Sequence, residues 1–337
     1  MKTILKTVAL CLIGASLFLA PAQAETSKKR IALSNNYAGN SWRQAMLGSY
    51  ARVGKAAVAA KTVAAADVFT TADRAVPTQA AQIQNLILQG YDAIVLNAGS
   101  PNALNGAVRQ ACNAGIVVVS FDSIVTEPCA YRITVDYDAM GRQQAAELAR
   151  LLPKGGNLLE IRGLAGTSTD AKIHGGIIEG LKKFPQFKIV RSVTGDWDQT
   201  TAQKNVASVL PSLPPIAGVV TQGGDGYGAA QAFAAARRPR PVIMLGNRQD
   251  ELAWWQQQKA QDGYRTWSAS IAPGISSFAF WVAQQVLDGK KVPKDITLPY
   301  LAFTQDTFEA ALKTIPKGGV ASRDYTQAEA IAAITRK

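Results

Sequence analysis

Short β-branched runs alternate with longer, Ala-rich amphipathic stretches along this chain, and the alternation starts over about halfway. Strand-like runs at 31–34, 62–69, 93–97 and 116–121 are separated by helical stretches at 42–60, 78–89 and 102–114. Strands joined through helices pair in parallel, because a crossover is what returns the chain to start the next strand in the same direction. A short strand at 131–135 and a helix at 138–152 follow. The pattern restarts with strands at 157–161, 188–194, 216–221 and 242–245, and helices at 171–184, 200–210 and 229–237. A strand at 266–271, a helix at 275–287 and a final strand at 296–301 complete it. The fold class is therefore α/β, with two similar open parallel-sheet lobes.

The first residues stand outside that pattern. Lys2 and Lys6 precede an apolar run at 8–20, and Ala22-Gln23-Ala24 supplies the small-x-small site of a signal peptidase. The run is too short for an ordinary membrane span. We expect a cleaved signal peptide at 1–24 and a periplasmic protein. Its removal lowers the formal charge from +12 by the two lysines, and the remaining basic residues are dispersed. A solvated basic surface accounts for them, and an exported chain has no call to bind nucleic acid.

With Cys11 in the leader, Cys112 and Cys129 remain. An even count in an oxidising compartment suggests one disulfide, worth about 3 kcal/mol for so short a loop. Metal binding is the weaker alternative, since no His or carboxylate cluster accompanies the pair. His174 is the only histidine and reads as a surface or capping residue, so no Ser/His/Asp triad can be assembled. The run 223–228 is glycine-rich but lacks the dinucleotide-loop spacing. No cofactor and no enzyme activity are expected.

In open parallel sheets, ligands sit beyond the carboxyl ends of the strands. Those ends carry Asn35-Asn36, Asn97, Asp122, 163–169, Asp196-Trp197, 222–225 and Asn247. Turns also favour Asn, Asp and Gly, so each position alone has two readings. Two segments stand out, Gly39-Asn40-Ser41-Trp42-Arg43 and Gly195-Asp196-Trp197-Asp198. Each sets a tryptophan among small polar residues, one in each half of the chain. Either tryptophan could pack on its own lobe; together they could sandwich a ring-shaped polar ligand. Asp225 could equally cap the helix that follows it.

Val118-Val119-Ser120-Phe121-Asp122, 163–168 and Gly195-Asp196-Trp197-Asp198, in that order, resemble the ribose-binding-protein branch of periplasmic sugar-binding proteins. The resemblance covers essentially all of the chain after the leader. It implies a type I periplasmic binding fold, two lobes joined by a three-segment hinge, and ligand enclosed by closure for delivery to an ABC permease. The lobes would be 25–134 plus 271–298, and 135–270 plus 299–337. Trp42 and Trp197 would stack on opposite ligand faces. Asp122 matches the first-lobe aspartate, Asn247 replaces a second-lobe carboxylate, and Ser270 matches a contact near the hinge. Ser123 and Lys172 stand where a ribose binder has arginines, and Gly224 lacks the side-chain amide expected there. The candidate ligand set is Asn36, Trp42, Arg43, Asn97, Asp122, Ser123, Lys172, Trp197, Asp225, Asn247 and Ser270.

The expected function is capture of a monosaccharide-like ligand by a monomeric solute-binding protein of an ABC importer in the inner membrane. Alternatives are a polyol, sugar acid or nucleoside as ligand, and a sensory module that docks on a membrane receptor.

Overall fold

The computed structural model describes residues 25–335, and the expected signal peptide lies outside them. Among the described residues no helix is long and apolar enough to cross a membrane. The first unit runs β1 (Arg30–Asn35), α1 (Ser41–Ala59), β2 (Ala65–Thr70), α2 (Val76–Leu88), β3 (Ala93–Asn97), α3 (Asn105–Asn113), β4 (Val117–Phe121) and β5 (Tyr131–Val135). The second runs α4 (Tyr137–Leu151), β6 (Gly156–Arg162), α5 (Ser168–Leu181), β7 (Phe187–Thr194), α6 (Gln199–Val209), β8 (Gly218–Val220), α7 (Gly226–Ala235), β9 (Val242–Ile243), α8 (Gln249–Asp262) and β10 (Ser268–Ser270). The chain then returns with α9 (Ile275–Leu287) and β11 (Asp295–Leu298), leaves again with β12 (Leu301–Phe303) and α10 (Phe308–Leu312), and ends in α11 (Gln327–Thr335).

The first sheet has six strands in the order β11-β5-β4-β3-β1-β2, all pairs parallel. Alternate residues feed opposite layers. Ile31, Leu33, Val95 and Val119 pack with Met46, Tyr50 and Phe278 of α1 and α9. Ala32, Ile94, Leu96 and Val118 pack with Ile83 and Val108 of α2 and α3. Burial on both faces is why these strands read as continuous apolar runs. The second sheet has four parallel strands in the order β7-β6-β8-β9, covered on one face by α6, α7 and α8 and on the other by α4 and α5. Cys112 and Cys129 form a disulfide that ties the end of α3 to the loop before β5.

Two late elements differ from the sequence expectation. The single strand at 296–301 is two strands, with β11 beside β5 and β12 antiparallel to β10. Pro299 separates them: it has no N–H to donate to a ladder, so β11 ends at Leu298, its last residue paired with β5. The assignment of 299–337 to the second unit is corrected at its end. Ala321 N still donates to Asn247 O, but Arg52 and Ser49 of α1 hold Asp324, and Trp281 Nε1 donates to Tyr325 O at 2.9 Å. Tyr325, Ala330 and Ile334 bury an apolar face in the core cluster that contains α9, so the tail belongs with the first unit.

Candidate functional site

The first unit builds its share of the site from the ends of β1, β3 and β4. Asn40 caps α1, its Oδ1 accepting from Arg43 N at 2.8 Å, which fixes Trp42 and Arg43 in the opening turn. Trp42 Nε1 donates to Ile271 O at 2.7 Å, pinning the indole to the segment that connects the units. The Arg43 guanidinium lies 5.1 Å from the Trp42 ring, with Nη1 3.4 Å from Asp122 Oδ2. Asp122, just past β4, sits at φ 58°, a left-handed conformation rare outside glycine. Its carboxylate accepts from Asn97 Nδ2 at 3.0 Å and from the Tyr137 hydroxyl at 2.9 Å. Burial lowers the Arg43 pKa, and the Asp122 charge opposes that. Burial, reinforced by Asp122, pushes the Tyr137 phenol well above its usual range, so it stays a neutral donor.

The second unit contributes the ends of β6 to β9. Asp196 (φ 54°) and Trp197 (φ 55°) are both left-handed, the kind of stored strain found at ligand sites. Gly163 makes room for the indole: a Cβ there would lie 2.3 Å from Trp197 Cε2. Asp198 caps α6 through Thr201 N at 2.8 Å, anchoring the other side of the turn. Asp170, held by both nitrogens of the Arg162 fork at 2.9 and 2.7 Å, accepts from Gln222 Nε2 at 2.8 Å. That bond leaves Gln222 Oε1 buried without a partner.

A cleft of about 530 Å³, counting its open mouth, lies where these ends meet. Trp42, Arg43, Asp122, Trp197, Asn247 and Ser270 of the candidate set line it together. The other five do not. Asn97 is fully buried one step behind, orienting Asp122. Ser123 shares a 3.1 Å hydrogen bond with Thr169 across the units. Asn36 is buried, with its Nδ2 donating to Ala98 O, and opens on a neighbouring crevice. Asp225 is fully buried and makes no capping hydrogen bond. Lys172 is the clearest correction: it is exposed on α5, because the period of a helix starting at Ser168 turns Thr169, Asp170 and Ile173 inward instead. Asn247 reaches the cleft with both side-chain atoms engaged, Nδ2 with Leu301 O and Oδ1 with Ser268 Oγ.

Other lining residues were outside the candidate set. Asn40, Thr169, Gln222, Gly223 and Gly224 lie in the segments that the strand-end scan or the tryptophans mark. Met140, Arg248, Ile271 and Val320 do not. They come from the start of α4, the residue before α8, the connection to α9 and the tail, where no local pattern announces an inward side chain. The units also touch across the cleft: Arg74 Nη2 lies 2.7 Å from Asp196 Oδ2, Asn40 Nδ2 donates to Trp197 O at 3.3 Å, and Ile124 N donates to Ser168 Oγ at 3.1 Å. His174, away from the cleft, lies half-buried with Nδ1 2.6 Å from the buried Glu160 carboxylate rather than free at the surface. Among the described residues no group of three or more His, Cys, Asp or Glu side chains is placed to hold a metal ion.

Residues 31–291 match the family model of the periplasmic binding protein domain. A xylitol-binding protein of Mycolicibacterium smegmatis is 28% identical over 256 residues, spanning 74% of this chain and 71% of its own. A ribose import binding protein of Bacillus subtilis is 26% identical, spanning 67% and 73%. The crystal structure of an ABC transporter solute-binding protein from Thermobispora bispora superposes with a TM-score of 0.86 at 32% identity, covering 91% of this chain and 95% of that one. Two parallel-sheet units, a cleft at their strand ends and these matches agree: the chain belongs to the periplasmic binding protein family, with the type I fold of sugar-binding members.

Proposed function

We propose that this protein captures a monosaccharide or polyol in the cleft between its units and presents it, in the periplasm, to the permease of an ABC importer. The observation that carries the reading is the pairing of Trp42 and Trp197, one from each unit, in a single cleft that also holds buried, unpartnered Gln222 Oε1 and Arg248 Nε. Indole faces suit the C–H faces of a sugar ring or an extended alditol, and hydroxyls, which both donate and accept, suit the unpartnered acceptor Gln222 Oε1 and donor Arg248 Nε. Buried donors and acceptors left without partners are costly, so a hydroxylated ligand recovers what closure would otherwise lose. The similarity to relatives named for xylitol and ribose supports the same ligand class. Binding and closure make up the mechanism, with no bond broken. Export by cleavage after Ala24 and a monomeric working form belong to the same proposal.

Thermal unfolding of the purified protein with pentoses, hexoses, pentitols and sugar acids tests this. A ligand at a hundredfold excess over its Kd stabilises the native state by about 2.7 kcal/mol. A shift with a sugar or polyol is expected; silence across both classes refutes the reading.

A further inference from the structure

Gly224 leaves a space in the second unit that a side chain from elsewhere fills. It sits at φ 94°, and a Cβ built on it would lie 2.7 Å from Arg248 Nε and 2.8 Å from Arg248 Nη2. The Arg248 guanidinium therefore occupies the position that any side chain at 224 would take, and it lines the cleft while only 7% exposed. Its backbone is fixed independently: Arg248 N donates to Glu251 Oε2, and Arg248 O accepts from Leu252 N at the start of α8. Nη2 donates to Trp197 O, and Nε has no partner. The nearby Asp225 carboxyl does not take it up, since neither of its oxygens has a hydrogen-bond partner.

We propose that Arg248 is the specificity-determining donor of the second unit, its Nε–H binding one oxygen of the captured sugar or polyol. This rests on the reading of the cleft as a sugar or polyol site. A guanidinium has donors only, so the oxygen it meets must accept: a hydroxyl, a ring oxygen or a carbonyl. The fork also links that bond to the stacking platform, because the same guanidinium holds the backbone of Trp197. The ligand's oxygen and the indole are thus set in register by one rigid, planar group, which a lysine cannot imitate.

Calorimetry tests this with xylitol, D-ribose, D-allose and L-arabinose, and with deoxy analogues of whichever binds tightest. Arg248→Met keeps the stem and removes the donors; Arg248→Lys keeps the charge and removes Nε–H. The first is expected to weaken binding by about 10- to 100-fold, the value of a hydrogen bond to a charged group, and lysine to restore little of it. One deoxy analogue should lose a similar factor against the native protein and nothing further against either variant. That non-additivity separates direct contact from a structural role, which would lower affinity for every analogue alike. Should the methionine variant fail to fold, the same cycle with lysine decides. Affinity within twofold of native, or equal deoxy losses in native and variant proteins, overturns the role of Arg248. Failure of the native protein to bind any of the four, or any other sugar or polyol, overturns the sugar-site reading and this proposal with it.

Discussion

Asp225→Asn probes a buried carboxyl that the fold places directly behind the cleft. The side chain is 0% exposed, and neither oxygen has a hydrogen-bond partner. Burial raises its pKa well above the usual carboxylate range, the neighbouring Glu251 charge adds to this, and Arg248 opposes it. An aspartate in the unfolded chain titrates near pH 4. Above that pH the unfolded chain has released a proton that the native protein keeps. The native state then binds more protons, so stability is highest below the unfolded pKa and falls as pH rises toward the folded one. The slope is about 1.4 kcal/mol per pH unit while the native carboxyl holds its proton. Asparagine cannot ionise, so this component of the slope vanishes in the variant. Urea unfolding of both ligand-free proteins, from about pH 4.5 to 7.5, gives the difference directly. The stability of the variant relative to native should grow with pH by up to about 1.4 kcal/mol per unit. The slope is diagnostic rather than the intercept, because the amide brings two donors that the site must also accommodate. A difference that stays flat, or shrinks, as pH rises refutes the argument that Asp225 is a neutral acid in the native protein.

Trp42→Ala and Trp197→Ala should each lower ligand affinity at least about tenfold by calorimetry while circular dichroism stays native, since each removes one aromatic platform; unchanged affinity in both would sink the stacking proposal. Arg74→Ala removes the ion pair with Asp196 across the cleft mouth, where Arg74 is largely exposed. We expect only a few-fold faster ligand release by stopped-flow, fading at high salt, as for other exposed pairs. Cys112→Ser with Cys129→Ser opens a loop of sequence separation 17 and should cost about 3 kcal/mol in denaturant unfolding.

Some of the site was legible because its signals are local. Trp42 and Trp197 sit in short polar segments at strand edges, Asp122 ends an apolar run, and Cys112 and Cys129 are the only cysteines after residue 24. Asn97 was legible as a polar strand end, yet its role is to orient Asp122 rather than to line the cleft. Lys172 was misplaced because one residue of helical phase decides whether a side chain faces the cleft or solvent, and sequence alone left that phase open. The tail at 324–335 has an apolar stripe, but nothing in the stripe says which unit it will cover.

The sequence by itself determined the alternation of strands and helices, and with it two parallel sheets whose carboxyl ends carry polar residues. Periodicity is a property of neighbours along the chain, and parallel pairing follows from the crossover that such neighbours require. The identity of the donors inside the cleft was decided only by the tertiary structure. Gly224 announced a missing side chain, but that Arg248 would fill its place depends on how the ends of β8 and β9 lie side by side. Asp196 likewise was only a polar residue at a strand end in the sequence, and its pairing with Arg74 of the first unit emerged when the two units were set together. Contacts between residues far apart in sequence are fixed by packing of whole units, which no local pattern encodes.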